Sequence, residues 1–406
     1  MRPPGDHSRA AESRPPLRGI LRPPSTTSAA PRTFPPVNID PKIKGYLRRT
    51  ALVVGVGVVA VVGWTGYSLW NAWHNVERIP FDTENARINL NTATTIGILD
   101  GEDPEASAPI VGGDVLQDAG SIDGPATRAS NASLDAFLVI GSDQRASLGP
   151  SRRADVILLF MLPADNGAPV LMSIPRDLYI PNPCTGSKTR VNANLNGCGD
   201  SVTGPEQLAI AVEDFTGIAI DHFAVFDFEG FKNIVDQVGG VEICVDNPVR
   251  DLKVDPVPLE LPAGCSTVQG DQALAWMRSR HTTQFVNGSW SSVPGVNDLT
   301  RNERQQDLIM QALARLKDFG SITELTSLVE ELSNDFAIDD GLSLSDAVGF
   351  AWDLRSLDLT TIIRPVIPVA NYVDPTGAYV LLPTESFHDA LVAADPGAVT
   401  LFAEKS

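Results

Sequence analysis

Histidine and cysteine are scarce in this sequence, and their positions exclude several kinds of site. The 406 residues include five histidines and four cysteines. The histidines are scattered along the chain, and no two cysteines form a C-x-x-C pair. Zinc sites and thioredoxin-type redox centres both depend on such close spacings. The sequence therefore predicts neither of them.

Positive charge is also in short supply, except at the start of the chain. Lysine and arginine number 31 against 50 acidic residues, which gives a formal net charge of −19. Residues 1–50 hold ten basic and three acidic side chains, so they carry +7 and leave −26 for the rest. Nucleic-acid binding requires a clustered basic surface that neutralises phosphates. The acidic body argues against a DNA-binding regulator and predicts no nucleic-acid partner.

Residues 51–73 contain no charged side chain at all. A helix of this length spans about 34 Å, which is enough to cross the hydrocarbon core of a bilayer. Trp64, Tyr67 and Trp70 stand toward its far end, as in an aromatic interface belt. We therefore predict a transmembrane helix over 50–73, with the arginine-rich N-terminus in the cytoplasm and the rest extracytoplasmic. A cleaved signal peptide, the alternative, would have a shorter basic region and an A-x-A cleavage site.

All four cysteines follow that segment. An even number of cysteines in an exported domain predicts two disulfides. Three pairings are possible. The local one joins Cys184 to Cys198 and Cys244 to Cys265.

Composition and periodicity divide the remainder of the chain. Residues 1–49 are rich in proline, arginine and serine, which predicts a disordered cytoplasmic tail. Residues 74–131 are predicted to be a stalk and an irregular linker. Short apolar runs begin at Asp135 and mix with helical spacings, through both hairpin and crossover connections. We predict one α/β domain over 132–395, a three-layer α–β–α sandwich with a mixed central sheet, whose last strand covers 359–369.

Basic and acidic side chains gather where the apolar runs end. Ligand sites in α/β sheets lie beyond strand ends, and an arginine can bind two phosphate oxygens at once. A neighbouring carboxylate can hold Mg²⁺, which bridges phosphate oxygens. The pattern predicts an anion pocket, although any single Arg–Asp neighbour is more often a surface ion pair. Arg278 and Arg280 would converge only if their helix ends there.

Six short motifs occur in a fixed order: G-x-D-x-R at 141–145, R-x-D at 153–155, S-I-P-R-D at 173–177, D-x-x-G-G-V at 236–241, R-x-R at 278–280 and R-x-x-R-Q at 301–305. Together they resemble the LytR–CpsA–Psr family of cell-wall glycopolymer ligases, over about residues 135–320 and more loosely to about 390. The resemblance implies an enzyme that takes a glycopolymer from a polyprenyl pyrophosphate carrier. It would join that polymer to peptidoglycan through a phosphodiester and release polyprenyl phosphate.

The resemblance also assigns roles to residues of this chain. Asp143 and Asp155 match the aspartates near Mg²⁺, with Mn²⁺ as the alternative ion, and near the pyrophosphate. With them, Arg176, Arg278 and Arg280 form the expected catalytic set. The expected pyrophosphate-binding residues are Arg145, Arg153, Arg176, Arg278, Arg280, Arg301, Arg304 and Gln305.

Several alternatives stay open at this point. The same pocket would suit a pyrophosphatase that hydrolyses the lipid carrier, and a non-catalytic envelope regulator is a further reading. Residues 228–238 either line a lipid tunnel or pack an ordinary core, and residues 281–297 are either an acceptor-specific loop or a tolerated surface insertion. Few lysines and much alanine, valine, aspartate and arginine indicate a high-GC actinobacterium. Arabinogalactan or another secondary wall polymer is then the expected cargo.

Overall fold

The computed structural model describes residues 64–90, 134–143, 153–163, 168–294, 298–317 and 322–394. The predicted tail, residues 50–63 of the predicted transmembrane helix and residues 91–131 of the predicted stalk and linker lie outside these ranges. Among the helices that are described, none is both long and apolar enough to cross a membrane.

Strands and helices are mixed along the chain, as the predicted hairpin and crossover connections require. The described strands are β1 (Glu77–Ile79), β2 (Leu134–Ser142), β3 (Ala154–Pro163), β4 (Val170–Ser173), β5 (Tyr179–Pro181), β6 (Lys188–Arg190), β7 (His222–Phe226), β8 (Val241–Val245), β9 (Val249–Asp251), β10 (Leu259–Leu261), β11 (Gly264–Val268), β12 (Thr283–Val286), β13 (Ser289–Ser292), β14 (Phe336–Asp339), β15 (Val369–Val373) and β16 (Tyr379–Pro383). The described helices are α1 (64–75), α2 (83–90), α3 (Gly204–Thr216), α4 (Phe228–Gln237), α5 (Gly270–Arg278), α6 (Asp298–Lys317), α7 (Ile322–Leu332), α8 (Leu344–Ser356) and α9 (Phe387–Ala394), with 3₁₀ turns at Val191–Asn196 and Leu359–Thr361. Runs of consecutive strands occur at β2–β6 and β8–β11.

The central sheet has six strands in the order β1-β14-β7-β2-β3-β4. Strand β2 runs parallel to β7 and antiparallel to β3, and β3 runs antiparallel to β4. The predicted mixed sheet is therefore confirmed. A smaller antiparallel sheet, β10-β9-β12-β13, and three two-stranded ribbons lie outside it.

Apolar side chains cover both faces of the central sheet. On one face, Leu138 and Ile157 pack with Leu208 of α3 and Leu391 of α9. The other face carries a second cluster, which includes Leu158 together with residues of α4, α5 and α6: Phe231, Val235, Leu274 and Leu308. Because successive side chains of a strand point to opposite faces, the continuous apolar run of β3 supplies both layers.

Residues 76–90 correct the predicted stalk, because they belong to the fold. Strand β1 pairs in parallel with β14 at the edge of the sheet. One residue separates it from α1, and Trp73 and Val76 bury themselves against Ile338. Helix α2 docks on α3 through Arg87, which contacts Glu213 at 2.9 Å and Asp214 at 2.7 Å. Elements this short leave little periodicity for sequence reasoning to detect.

The predicted strand over 359–369 is wrong. Residues 359–361 form a 3₁₀ turn, and only Ile363 makes a bridge, to Val170 at the edge of the sheet. Pro365 and Pro368 lack the N–H group that a sheet ladder requires, which explains why regular pairing resumes only in β15.

Candidate active site

A cleft of about 270 Å³ lies at the end of the central sheet where β3 begins. Helix ends and strand ends contribute to its walls, as the position of the charged motifs predicted. Its lining residues are Asp155, Val156, Arg176, Phe228, Met277, Arg278, Arg280 and Gln305. The cleft therefore gathers polar and charged residues that are separated by as many as 150 positions in the sequence.

Asp155 reaches the cleft because β3 contains a bulge at this residue. In the pairing of β2 with β3, Gly141 faces Val156 and Ser142 faces Ala154, so Asp155 is the extra residue. The bulge also reverses the faces of the strand, since Ala154 joins the α3/α9 layer while Val156 joins the opposite layer. Bulges next to active sites redirect single side chains in this way. A Cβ at Gly141 would lie 2.9 Å from the Val156 Cβ, so the pairing at the bulge requires glycine.

Arg176 and Asp155 form an ion pair on one wall of the cleft. Arg176 Nη1 donates to Asp155 Oδ1 at 2.5 Å, and Arg176 Nε donates to Asp177 Oδ2 at 3.3 Å. Asp177 also contacts Arg190 at 3.3 Å. The Arg176 side chain is 17% exposed, so it remains partly open to a ligand while two carboxylates fix its orientation.

Arg278 and Arg280 both line the cleft because α5 ends between them. Ser279 adopts an extended conformation (φ −63°, ψ 126°), which stops the helix after Arg278. Because the helix ends there, both arginines can converge on one space, as the sequence required. Arg278 Nη1 donates to the Asp255 carbonyl at 2.6 Å, and its guanidinium lies over the Phe228 ring at 4.5 Å from the ring centre.

The D-x-x-G-G-V motif positions α5 rather than contacting the cleft itself. Asp236 accepts a hydrogen bond from the Gly270 N–H at 2.7 Å, which satisfies the first turn of α5 from a neighbouring helix. Gly240 has φ 92°, and a Cβ there would lie 2.8 Å from the Val268 carbonyl oxygen. The motif therefore fixes the start of the helix whose end carries Arg278.

Gln305 and Arg304 are neighbours on α6 but face different spaces. Gln305 is 3% exposed, and its Nε2 donates to the Asp155 carbonyl at 3.4 Å, so it fixes the bulge from below. Arg304 stacks over the Trp276 ring at 3.9 Å and lines a larger cavity of about 550 Å³. Burial lowers the pKa of Arg304, against the opposing charge of Asp251.

The remaining predicted residues lie at the same end of the sheet or outside the described part. Asp143 follows β2, and its Oδ1 accepts the backbone N–H of Arg153 at 3.2 Å. The Arg153 side chain is exposed. Arg145 and the side chain of Arg301 are not among the described residues, although the backbone of Arg301 belongs to α6.

Asp251 is a residue that sequence reasoning missed. It is 3% exposed, and its carboxylate accepts the Ser279 hydroxyl at 2.7 Å and the backbone N–H groups of His281 at 2.9 Å and Lys253 at 3.1 Å. Burial alone would raise the pKa of Asp251, but these hydrogen bonds, with one from the Arg280 backbone, outweigh it and leave the pKa lowered. Asp251 thus fixes the corner between Arg278 and Arg280. In the sequence, Arg250-Asp251 resembles any surface ion pair, so only the folded contacts identify it.

The four cysteines form the local pairs. Cys184 is bonded to Cys198, and Cys244 to Cys265 across the β8–β11 ribbon. Phe231 and Val235 of the segment 228–238 pack in the core, with 5% and 1% exposure, whereas Phe228 lines the cleft. Residues 283–292 of the segment 281–297 form the β12–β13 hairpin.

Comparison with known proteins relates this chain to a family. The LytR_cpsA_psr family model matches residues 119–391. The chain is 29% identical over 289 residues to the probable cell wall biosynthesis protein LcpB of Corynebacterium glutamicum, which covers 66% of this chain and 63% of that protein. It is 28% identical over 216 residues to the polyisoprenyl-teichoic acid–peptidoglycan teichoic acid transferase TagV of Bacillus subtilis, which covers 51% of each. The chain thus spans about half to two thirds of the length of these relatives.

Solved structures show the same fold. The crystal structure of Bacillus subtilis TagV has a TM-score of 0.53 at 23% identity and covers 65% of this chain and 97% of its own. A LytR-Csp2A-Psr enzyme from Actinomyces oris has a TM-score of 0.51 at 24% identity, with 64% and 89% covered.

Proposed function

The chain belongs to the LytR–CpsA–Psr family, of actinobacterial type, and on that basis we propose that it is a phosphotransferase of cell-wall assembly. Its donor would be a glycopolymer linked to polyprenyl pyrophosphate, and its acceptor a hydroxyl group of peptidoglycan. The acceptor oxygen forms a bond to the phosphorus that carries the polymer. The bond from that phosphorus to the oxygen of the lipid phosphate breaks, so that polyprenyl phosphate leaves.

The observation that carries this proposal is the composition of the cleft. Three arginines, Arg176, Arg278 and Arg280, line a space of about 270 Å³ together with Asp155 in a domain whose body is acidic. A pyrophosphate in this space would meet planar, permanently charged donors on several sides. Donors placed in advance stabilise the charge that develops on the transferred phosphate and on the leaving phosphate. The acceptor proton would pass to a carboxylate, for which Asp143 and Asp155 are the candidates.

The two aspartates fit a divalent cation that is completed by substrate. Mg²⁺ is commonly held by one or two carboxylates together with phosphate oxygens and water. Among the described residues, the group of three His, Cys, Asp or Glu side chains whose ligand atoms converge is Glu242, Cys244 and Cys265, which does not include Asp155 and whose cysteines are in a disulfide. We therefore propose Asp143 and Asp155 as the protein ligands. The ion, when bound, would neutralise phosphate charge and polarise the phosphorus.

The larger cavity offers a place for the isoprenoid chain. Its lining is mostly apolar and includes Ile243, Leu308, Met310, Ala314 and Leu359. Trp276 and Arg304 line it, while the next residues in each helix, Met277 and Gln305, line the phosphate cleft. A lipid whose pyrophosphate lies in the cleft could therefore extend its chain along the other side of α5 and α6.

An extracytoplasmic position, with a single N-terminal membrane anchor, completes the proposal. Two disulfides support an oxidising compartment. On α1, Trp64, Tyr67 and Trp70 are 71%, 59% and 50% exposed, as expected for aromatic side chains at a membrane interface. The proposed donor and acceptor, lipid-linked polymer and peptidoglycan, would both be on the extracytoplasmic side of the membrane. Arabinogalactan is the proposed cargo, with other secondary wall polymers as alternatives.

The test is a transfer assay with the full chain in detergent, lipid-linked arabinogalactan and solubilised peptidoglycan. We expect a phosphodiester-linked product and one polyprenyl phosphate released for each transfer. Arg278→Ala or Arg280→Ala should lower the rate by about 10²–10³ without unfolding the protein. Arg355→Ala is the matched control, because Arg355 is an exposed arginine on α8 that stacks on Trp352.

Each product pattern selects one function. Release of polyprenyl phosphate at the same rate without peptidoglycan would show a pyrophosphatase. Neither product from the folded wild type would show a non-catalytic regulator. Wild-type turnover in Arg280→Ala would remove the cleft from the reaction.

A further inference from the structure

The β12–β13 hairpin exposes an aromatic pair next to the phosphate cleft. Phe285 and Trp290 face each other across the two strands, with ring centres 5.4 Å apart. They are 40% and 37% exposed. The turn between them is formed by Asn287 and Gly288, both with positive φ, which is the preferred two-residue connection for a hairpin. The hairpin is thus a regular element that presents apolar rings to solvent.

Trp290 is also one wall of a recess of about 330 Å³. The buried side chains of Val249 and Leu261 contribute an apolar surface, and Arg250 and the exposed Glu260 contribute charged groups. The Arg250 guanidinium lies over the Trp290 ring, 4.0 Å from its centre. A stacked guanidinium still directs its N–H donors outward in its own plane. The recess therefore combines a flat aromatic wall with donors and acceptors at its edge, within the size range of small-ligand sites.

The hairpin is tied to the cleft by short, ordered connections. Thr283, the first residue of β12, follows Arg280 by three positions and pairs with Arg250 of β9. Asp251, next to Arg250, holds the Ser279 hydroxyl and the His281 backbone through its carboxylate. Phe285 follows Arg280 by five positions, so the two Cα atoms are at most about 18 Å apart.

We propose that this recess binds the sugar rings of a saccharide chain attached at the phosphate cleft. Sugar rings present C–H groups on their faces and hydroxyls around their edges, which matches the exposed part of the Trp290 ring together with the donors of Arg250 and the carboxylate of Glu260. The cross-strand aromatic pair also stabilises the hairpin. That role alone does not require a recess with a guanidinium and a carboxylate beside the ring.

The inference rests on the proposed function for the identity of the saccharide. Both the donor polymer and the peptidoglycan strand carry sugars at the reacting phosphorus, and either chain could reach the hairpin. The chemistry of the recess suits sugar rings from both sources. Separate binding measurements with each source therefore decide between them.

The experiment measures binding directly, so it does not depend on turnover. The full chain in detergent is titrated by calorimetry with muramidase-solubilised peptidoglycan strands and, separately, with lipid-free arabinogalactan fragments. We expect Trp290→Ala to weaken binding of one of these saccharides about tenfold. Trp290→Leu keeps an apolar cross-strand partner for Phe285 and should weaken binding similarly. Trp352→Ala removes a more exposed tryptophan, at 63% against 37% for Trp290, from α8, and this variant should bind as the wild type does.

The outcomes separate this inference from the proposed function. Weaker binding of either saccharide in both Trp290 variants supports the recess, and the affected arm names its source. Unchanged binding of both saccharides in the folded Trp290→Ala variant overturns it, as does an equal loss in Trp352→Ala. Absence of transfer in the wild type would refute the proposed function and leave the binding result standing.

Discussion

Replacing Asp251 by asparagine tests how the cleft holds its arginines. The substitution keeps the shape of the side chain but removes its charge and turns one acceptor oxygen into a donor. Three hydrogen bonds of 2.7–3.1 Å to this carboxylate would weaken, and one would become a contact between two donors. A hydrogen bond to a charged group is worth about 1.5–3 kcal/mol against about 1 kcal/mol for a neutral one. We expect the free energy of unfolding to fall by about 2–4 kcal/mol.

The variant should also lose activity in a specific way. Because Asp251 fixes Ser279 and His281, the Arg280 side chain between them would lose its position, and misplacement by about 1 Å can cost 10²-fold in rate. We expect kcat/KM to fall by about 10–100-fold, with a higher KM for the lipid-linked donor and an unchanged KM for peptidoglycan. Steady-state kinetics with each substrate varied in turn measures this split.

A control of similar instability distinguishes positioning from general loss of stability. Leu391 is fully buried on α9, in the layer on the other face of the sheet, so Leu391→Ala should cost about 2–5 kcal/mol without moving the cleft. If Asp251→Asn retained the donor KM and kcat of Leu391→Ala, our assignment of Asp251 would be refuted. Acid provides an independent readout. The folded pKa of Asp251 is lowered, so its stabilisation is present above an ordinary aspartate pKa near 3.9 and is lost as the pH falls below it. The asparagine variant should lack this loss.

Three further predictions concern the metal, the disulfide and a histidine. Asp143→Asn should raise the Mg²⁺ concentration for half-maximal transfer by about tenfold, and an unchanged requirement would remove Asp143 from the metal site. Replacing Cys244 and Cys265 by serine should lower the free energy of unfolding in urea by about 3 kcal/mol, since the bond closes a loop with a sequence separation of 21. An unchanged free energy of unfolding in the double variant would argue against the bond. Burial lowers the pKa of His222, but its hydrogen bond to Asp339 and nearby acidic charges outweigh this and raise it. The stabilisation by His222 is therefore full below about pH 6.5 and is lost as the pH rises through the raised pKa. The free energy of unfolding should differ less between pH 6 and pH 8 in His222→Asn than in the wild type.

Sequence reasoning predicted the parts of this molecule that repeat a local pattern. The apolar runs of β2 and β3 are recognisable because turn residues bound them. The helices α3 and α6 are recognisable because their apolar residues recur at helical spacing. Of the predicted site residues, the fold brings Asp155, Arg176, Arg278, Arg280 and Gln305 to one cleft, whereas Arg304 lines the larger cavity. Arginine and aspartate at the ends of apolar runs were the useful signal.

The missed features depend on contacts between distant segments. Nothing local marks the bulge at Asp155, because it arises from the register between two strands. The β12–β13 hairpin was detectable, since Asn287-Gly288 between T-Q-F-V and S-W-S-S is a strong hairpin signal. β1 was too short for any periodicity, and its place in the sheet is set by pairing with β14, about 260 residues later.

The junction between α1 and β1 is short and tightly packed. Only Val76 separates the helix from an edge strand of the central sheet, and Trp73, Val76 and Ile338 pack together at that point. The Arg78 guanidinium lies over the Trp73 ring at 5.2 Å and donates to the Leu342 carbonyl at 3.0 Å, which holds the two elements at one angle. A movement of α1 would therefore move the edge of the central sheet with it, because no flexible linker separates the two. In the proposed topology, this junction would set the distance between the membrane surface and the central sheet.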